Sequence, residues 1–215
     1  MSEREQLIAA LSRDVPSVKP VRNIDHTALL WMLLSAAYVV AITHLFGPIR
    51  PNALAQLAST PRFLGELLCG LAAIAVMAVV GFRAAIPGAL TPRLATLGGV
   101  LVTVWVGCYV FGLVNPALEP SMLGKRPHCV WETFVYALPP VLLGFALTRR
   151  LFPLQPVKAA LAFSLAAGLM PALYMQIACM YAPDHILKFH ILPGLLMGAL
   201  GASAAAAWWR DPSRV

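Results

Sequence analysis

Charge is scarce in this chain. Only 12% of its 215 residues are Asp, Glu, Lys or Arg, while 60% are hydrophobic, and so little polar surface cannot clothe a water-soluble core. The sequence also lacks a C-x-x-C pair, a segment repeated at a fixed period and a low-complexity linker. These absences argue against a thioredoxin-type exchange centre, a solenoid and a string of domains. No ionisable residue falls at the middle of an apolar block, where a proton or ion pathway would need one, so transport is disfavoured.

What is present is apolar blocks of the roughly 20 residues that a bilayer core requires. They run about Thr27 to Phe46, Phe63 to Phe82, Ala95 to Val114, Val130 to Leu147, Ala159 to Ala178 and Ile186 to Trp208. Between them lie the helix-ending signals Gly47-Pro48, Pro61-Arg62, Pro87-Gly88, Pro116, Arg149-Arg150 and Pro183-Asp184. The blocks predict an all-α polytopic membrane protein, a single bundle of six transmembrane helices. Pro139-Pro140 and Pro193 should bend the fourth and sixth.

Orientation follows from the bases. With a cytoplasmic amino terminus, eleven Lys and Arg (Arg4, Arg13, Lys19, Arg22, Arg83, Arg93, Arg149, Arg150, Lys158, Arg210, Arg214) lie inside and five (Arg50, Arg62, Lys125, Arg126, Lys188) outside. This positive-inside bias places both termini in the cytoplasm and accounts for the formal charge of +7 without a nucleic acid partner. Nothing before the first block reads as a cleaved signal, because its charges balance and the apolar run is too long. Three regions result: a cytoplasmic segment 1–26, the bundle 27–208 with its outer loops, and a cytoplasmic tail 209–215.

Segment 1–26 is the longest stretch outside the membrane. Ser2 and Glu5 have the spacing of a capping box. Leu7, Ile8 and Leu11 then share one face of a helix of some fourteen residues, with Val15 a turn on, until Pro16 stops it. Val18, Pro20 and Val21 read as an extended strap. So short a helix is marginal alone in water, so its apolar face needs a surface: lipid headgroups, the bundle, or a groove in a cytoplasmic protein.

Cys69 and Cys108 fall inside the second and third blocks, where a thiol packs as a small apolar group. Cys129 and Cys179 fall at the outer ends of the fourth and fifth, in an oxidising compartment of a bacterium. Lys125, Arg126 and His128 precede Cys129 and would lower its pKa, which makes it the better nucleophile candidate. Asp184, His185, Lys188 and His190 follow Cys179. The two thiols can form a reversible disulfide, or bind zinc or cadmium with His128 and His185. A transient ion there is the one cofactor candidate. A permanent disulfide or plain burial is the structural alternative, and His185 and His190 otherwise read as interfacial. Glu66 and Glu132 lie near outer span ends, with Arg62 one turn before Glu66. Trp31, Trp105, Trp131, Trp208 and Trp209 fit a headgroup belt.

The order of Leu7-Ile8-Ala9-Ala10-Leu11 with Asp14, Pro20 and Val21, Phe46-Gly47-Pro48, Pro61-Arg62-Phe63, Gly107-Cys108, His128-Cys129 and Cys179 resembles the negative regulator of sigma-F family of six-span bacterial anti-sigma factors. The resemblance implies an inner-membrane inhibitor, not an enzyme, that holds an extracytoplasmic-function sigma factor until a signal arrives outside. By the same resemblance Leu7, Ile8, Leu11, Asp14, Val15 and Val21 would bind sigma. Cys129 and Cys179 would correspond to the family's functional outer pair, associated with heavy-metal or oxidative stress. Two rivals remain: a quinone-linked membrane thiol oxidoreductase, and a small transporter or haem-bearing subunit resting on His44, His128, His185 and His190.

Overall fold

The computed structural model describes residues 2–13, 23–151 and 153–208. Among these residues every regular element is helical: α1 Glu3–Arg13, α2 Ile24–Leu45, α3 Ala53–Ser59, α4 Pro61–Ala84, α5 Pro92–Gly112, α6 Cys129–Thr148, α7 Pro156–Ala178, α8 Pro183–Ile186 and α9 Leu192–Trp208. A π-helical turn, Leu187–Ile191, joins α8 to α9. Six helical stretches are long and apolar enough to cross a bilayer, so the chain is a multi-pass membrane protein. Most spans begin before the first apolar residue. Pro61, Pro92, Pro156 and Pro183 each stand in the first turn of a helix, where a missing N–H costs nothing and the fixed φ suits the helix. The short α3 was not anticipated; it occupies what the sequence presents as loop.

α7 is the hub. Of its most apolar stretch 72% lies inside the bundle, against 22% for α5, and it packs on α9, α4, α6 and α2. It can be central because its buried positions are mostly small: Ala159, Ala160, Ala162, Ala166, Ala167, Gly168 and Ala172. Between membrane helices, where lipid is as apolar as leucine, close backbone approach replaces the hydrophobic driving force. α9 answers with glycine: a Cβ at Gly194 would stand 2.7 Å from the Gly168 carbonyl oxygen.

The prolines act differently from one another. α6 stays helical through Pro139 and Pro140, and the Pro140 carbonyl accepts a 3.0 Å hydrogen bond from the Trp31 indole of α2. Pro193 instead follows the π turn, in which the Leu192 amide bonds the Leu187 carbonyl five residues back. Lacking an N–H, Pro193 cannot serve the Phe189 carbonyl, and the wider turn re-registers the helix just before it.

The bundle has two faces. The first turn of α2 and the last turn of α4 meet at one, where the Arg83 guanidinium donates to Asp25 at 2.7 Å. We call this the amino-terminal face. α1 begins with the reciprocal Ser2 and Glu5 pair expected from their spacing: the Ser2 amide donates to Glu5 Oε2 at 2.7 Å and the Glu5 amide to Ser2 Oγ at 3.3 Å. Its described residues are helical over Glu3–Arg13, and Leu7, Ile8 and Leu11 are each more than half exposed. Asp14, Val15, Pro16, Val18, Pro20 and Val21, like the tail 209–215, lie outside the described residues. The opposite end, where α6 begins and α7 ends, is the cysteine face.

Candidate functional site

Antiparallel packing of α6 on α7 lays the start of one beside the end of the other. Cys129 is the first residue of α6, and Cys179 is the first residue past α7, where the chain turns extended. Their sulfurs, 50 residues apart in sequence, come to 3.7 Å as free thiols. His185 on α8 reaches both: its Nε2 lies 3.4 Å from Cys129 Sγ and 3.7 Å from Cys179 Sγ. His190 completes the group, with all four donor atoms within 4.8 Å of one another.

His190 is present because of the π turn. In an α-helix, residues five apart point about 140° away from each other, which would send His185 and His190 in different directions. The wider π turn returns them to one side, and their rings meet edge to face with centroids 5.1 Å apart. His190 is fully buried, and neither of its ring nitrogens has a hydrogen-bond partner among the described residues. It is thus no interfacial residue. His128, paired with Cys129 in the sequence, caps α6 from an exposed position outside this group. It lines, with Lys125, Trp131, His185 and Phe189, a cavity of about 450 Å³ that leads to Cys129.

The activation expected at Cys129 takes a different form. Arg126 is buried and committed: it donates to Glu132 Oε2 at 2.7 Å and to the Pro48 carbonyl at 2.8 Å. Lys125 is exposed. Cys129 Sγ lies 3.3 Å from the Arg126 carbonyl and 3.7 Å from Cys179 Sγ, two acceptors for its one proton. Cys179 is the better thiolate. A hydrogen bond from the Cys129 thiol outweighs burial, and the imidazole of His185 adds to the effect, so its pKa lies below the usual thiol range.

Two arginines tie the cysteines to the neighbouring helices. Arg126 also reaches the Thr43 carbonyl of α2 at 3.4 Å, and a Cβ at Gly47 would collide with its guanidinium. This is the physical reason for the Gly47-Pro48 turn. Arg50 secures the end of α7: its amide donates to the Ala178 carbonyl at 2.9 Å and its guanidinium to the Gln176 carbonyl at 3.1 Å, using carbonyls that a helix end leaves free. The guanidinium also lies 5.5 Å from the Phe63 ring centroid and 5.8 Å from that of Tyr181. The buried connection after Cys179 is fully accounted for at Tyr181, whose carbonyl accepts from the Ser121 amide and whose hydroxyl accepts from the Ala117 amide. Arg50, read from sequence only as an outer charge, and Arg126, read there as a charge beside Cys129, are therefore buried parts of the site. Their nearness to Gly47-Pro48 and to Cys129 was the available signal.

The remaining candidates stand apart. Cys69 and Cys108 are half-buried within α4 and α5, and His44 is taken up by the Tyr174 hydroxyl at 2.7 Å. Glu66 is buried and pairs with Arg62 at 3.4 Å, as their spacing suggested.

No match is found among curated proteins or among solved structures. The family model described as negative regulator of sigma F matches residues 11–210, a range that takes in all six spans and both Cys129 and Cys179 but begins after Leu7 and Ile8. The chain belongs to the negative regulator of sigma F family.

Proposed function

We propose that this negative regulator is an anti-sigma factor of the bacterial inner membrane. It holds an extracytoplasmic-function sigma factor through its cytoplasmic amino-terminal segment and releases it when heavy metal or an oxidant reaches Cys129 and Cys179 in the periplasm. Family membership supports a sigma partner. The observation that carries the rest is the division of labour between faces: exposed Leu7, Ile8 and Leu11 on α1, and a buried cluster of thiols and imidazoles at the far end of the bundle. An amphipathic helix with free apolar anchors suits a groove in a soluble partner. The cluster suits recognition of thiol-directed chemicals.

α2 is the natural link. Its far end is held by Arg126, three residues before Cys129, and its near end continues into the amino-terminal segment. Moving retention from 99% to 1% requires about 5.5 kcal/mol of differential signal binding, within reach of ligation at several residues. The segment contacts sigma, lipid surrounds the bundle, and no direct nucleic acid contact is needed.

Co-purification tests this reading. Leu7→Asp with Leu11→Asp should free the bound sigma factor, while the bundle still folds and inserts. Retention at the level of the unaltered chain would remove α1 from the interface.

A further inference from the structure

Resting on the reading that the cysteine face receives the signal, we propose that Cys129, Cys179, His185 and His190 form a tetrahedral Cys2His2 centre for one thiophilic divalent cation of the zinc and cadmium class. Spacing carries the argument. A zinc-sized ion about 2.3 Å from each sulfur and about 2.0 Å from each nitrogen sets tetrahedral edges of about 3.8 Å between sulfurs and about 3.5 Å between sulfur and nitrogen. The observed edges are 3.7 Å between the sulfurs, with 3.4 and 3.7 Å from His185 Nε2 to the two sulfurs. A disulfide would bring the sulfurs to about 2.05 Å. These three groups are spaced for an ion between them.

His190 supplies the independent observation. A fully buried imidazole with both nitrogens unpartnered is unusual, because a buried polar group is normally satisfied. Its nitrogen closes the set within 4.8 Å, an adjustment of at most about 1.3–1.5 Å from an ideal edge. The π turn that aims it here is of the kind found at functional sites. The nearby charges do not compete for the site: Glu132 is spent on Arg126 and Asp184 faces Lys188 at 3.8 Å.

The donor set selects the ion. Two thiolates and two imidazoles favour soft or borderline cations over magnesium and calcium. On binding, four ligand bonds form and the proton held by the thiol pair leaves, so the −2 charge of the two thiolates neutralises the cation. The cavity beside Cys129 offers the route in. The four ligands come from the start of α6, the end of α7, α8 and the π turn, so one ion fastens four pieces of chain at the face opposite α1.

The test uses the full chain in detergent, reduced, with no sigma factor present, so that its outcome is separate from that of sigma retention. Cobalt(II) and cadmium(II) are titrated, and the cadmium-loaded unaltered chain is examined by X-ray absorption. Expected are one ion per chain, the intense visible bands of tetrahedral cobalt, and two sulfur plus two nitrogen neighbours around cadmium. His190→Gln should weaken binding by at least about 100-fold, more than the roughly 10–100-fold that loss of a supporting partner costs, while His128→Gln leaves it unchanged. A first shell without two sulfurs, binding lost with His128 but kept without His190, or no stoichiometric binding of either ion would overturn the proposal. The absorption measurement needs no variant, so a misfolded His190→Gln chain does not blunt the test.

Discussion

The two ends of the bundle are built on opposite plans. At the cysteine face two arginines are buried: Arg126 is fully inside with Glu132 and two carbonyls of the 43–48 stretch, and Arg50 sits between the end of α7 and two aromatic rings, while the Asp184 and Lys188 pair there is exposed. At the amino-terminal face the Arg83 and Asp25 side chains of the one ion pair found there among the described residues are 33% and 46% exposed, and the apolar residues of α1 face outward. A recognition site for a small ion needs fixed distances, which the buried hydrogen bonds of Arg126 and Arg50 help to provide. A site for a protein partner needs free apolar surface, and α1 keeps it.

Several changes would break or sharpen this contrast. The largest effect should follow Cys129→Ser combined with Cys179→Ser, which is expected to abolish induction of the sigma regulon by cadmium or oxidant. Transcript levels measured before and after stress check it, and unchanged induction would take the thiols out of the mechanism.

Next in size is the buried ion pair. Arg126→Met leaves Glu132 without its partner in a mostly buried place and should cost about 3–5 kcal/mol of bundle stability, read as denaturant or thermal unfolding in detergent. Adding Glu132→Gln should recover part of the loss. Gly47→Val should act through the same guanidinium and cost about 1–3 kcal/mol. At the other face, Arg83→Met removes a half-exposed pair and should cost no more than about 1 kcal/mol. If the two arginine replacements proved equally damaging, the contrast between faces would fail.

A smaller and subtler effect concerns proton affinity. Because Cys179 titrates below the usual thiol range, its thiolate persists as pH falls beneath the roughly 8.5 of a free cysteine. Modification of the pair by a small uncharged reagent, monitored by mass spectrometry, should therefore change little between neutral and mildly acidic pH. A rate that drops about tenfold per pH unit over that interval, as for an ordinary thiol, would assign the charge wrongly.

Much of the architecture was legible in the residues. Apolar blocks of bilayer length located all six spans to within a few residues, because hydrocarbon demands both length and continuity. The errors have local causes. Pro61 and Pro183, taken as breaks, are first-turn residues of α4 and α8, and α3 is too short to show a period. At the site, Cys129, Cys179 and His185 could be proposed from position alone. His190 could not, because the five-residue spacing to His185 places it on another side of any regular helix and only the π turn reverses that. His128 misled for the converse reason: adjacency to Cys129 in sequence means divergence in space at a helix start.

The arrangement has meaning only if α1 and the thiol cluster occupy different compartments. With the native cysteines replaced by serine, single cysteines at exposed positions, Lys125→Cys and Leu7→Cys, can be exposed to a maleimide that does not cross the inner membrane. Position 125 should be labelled in intact cells and position 7 only after lysis. Labelling of both positions in intact cells would contradict a signal that crosses the bilayer.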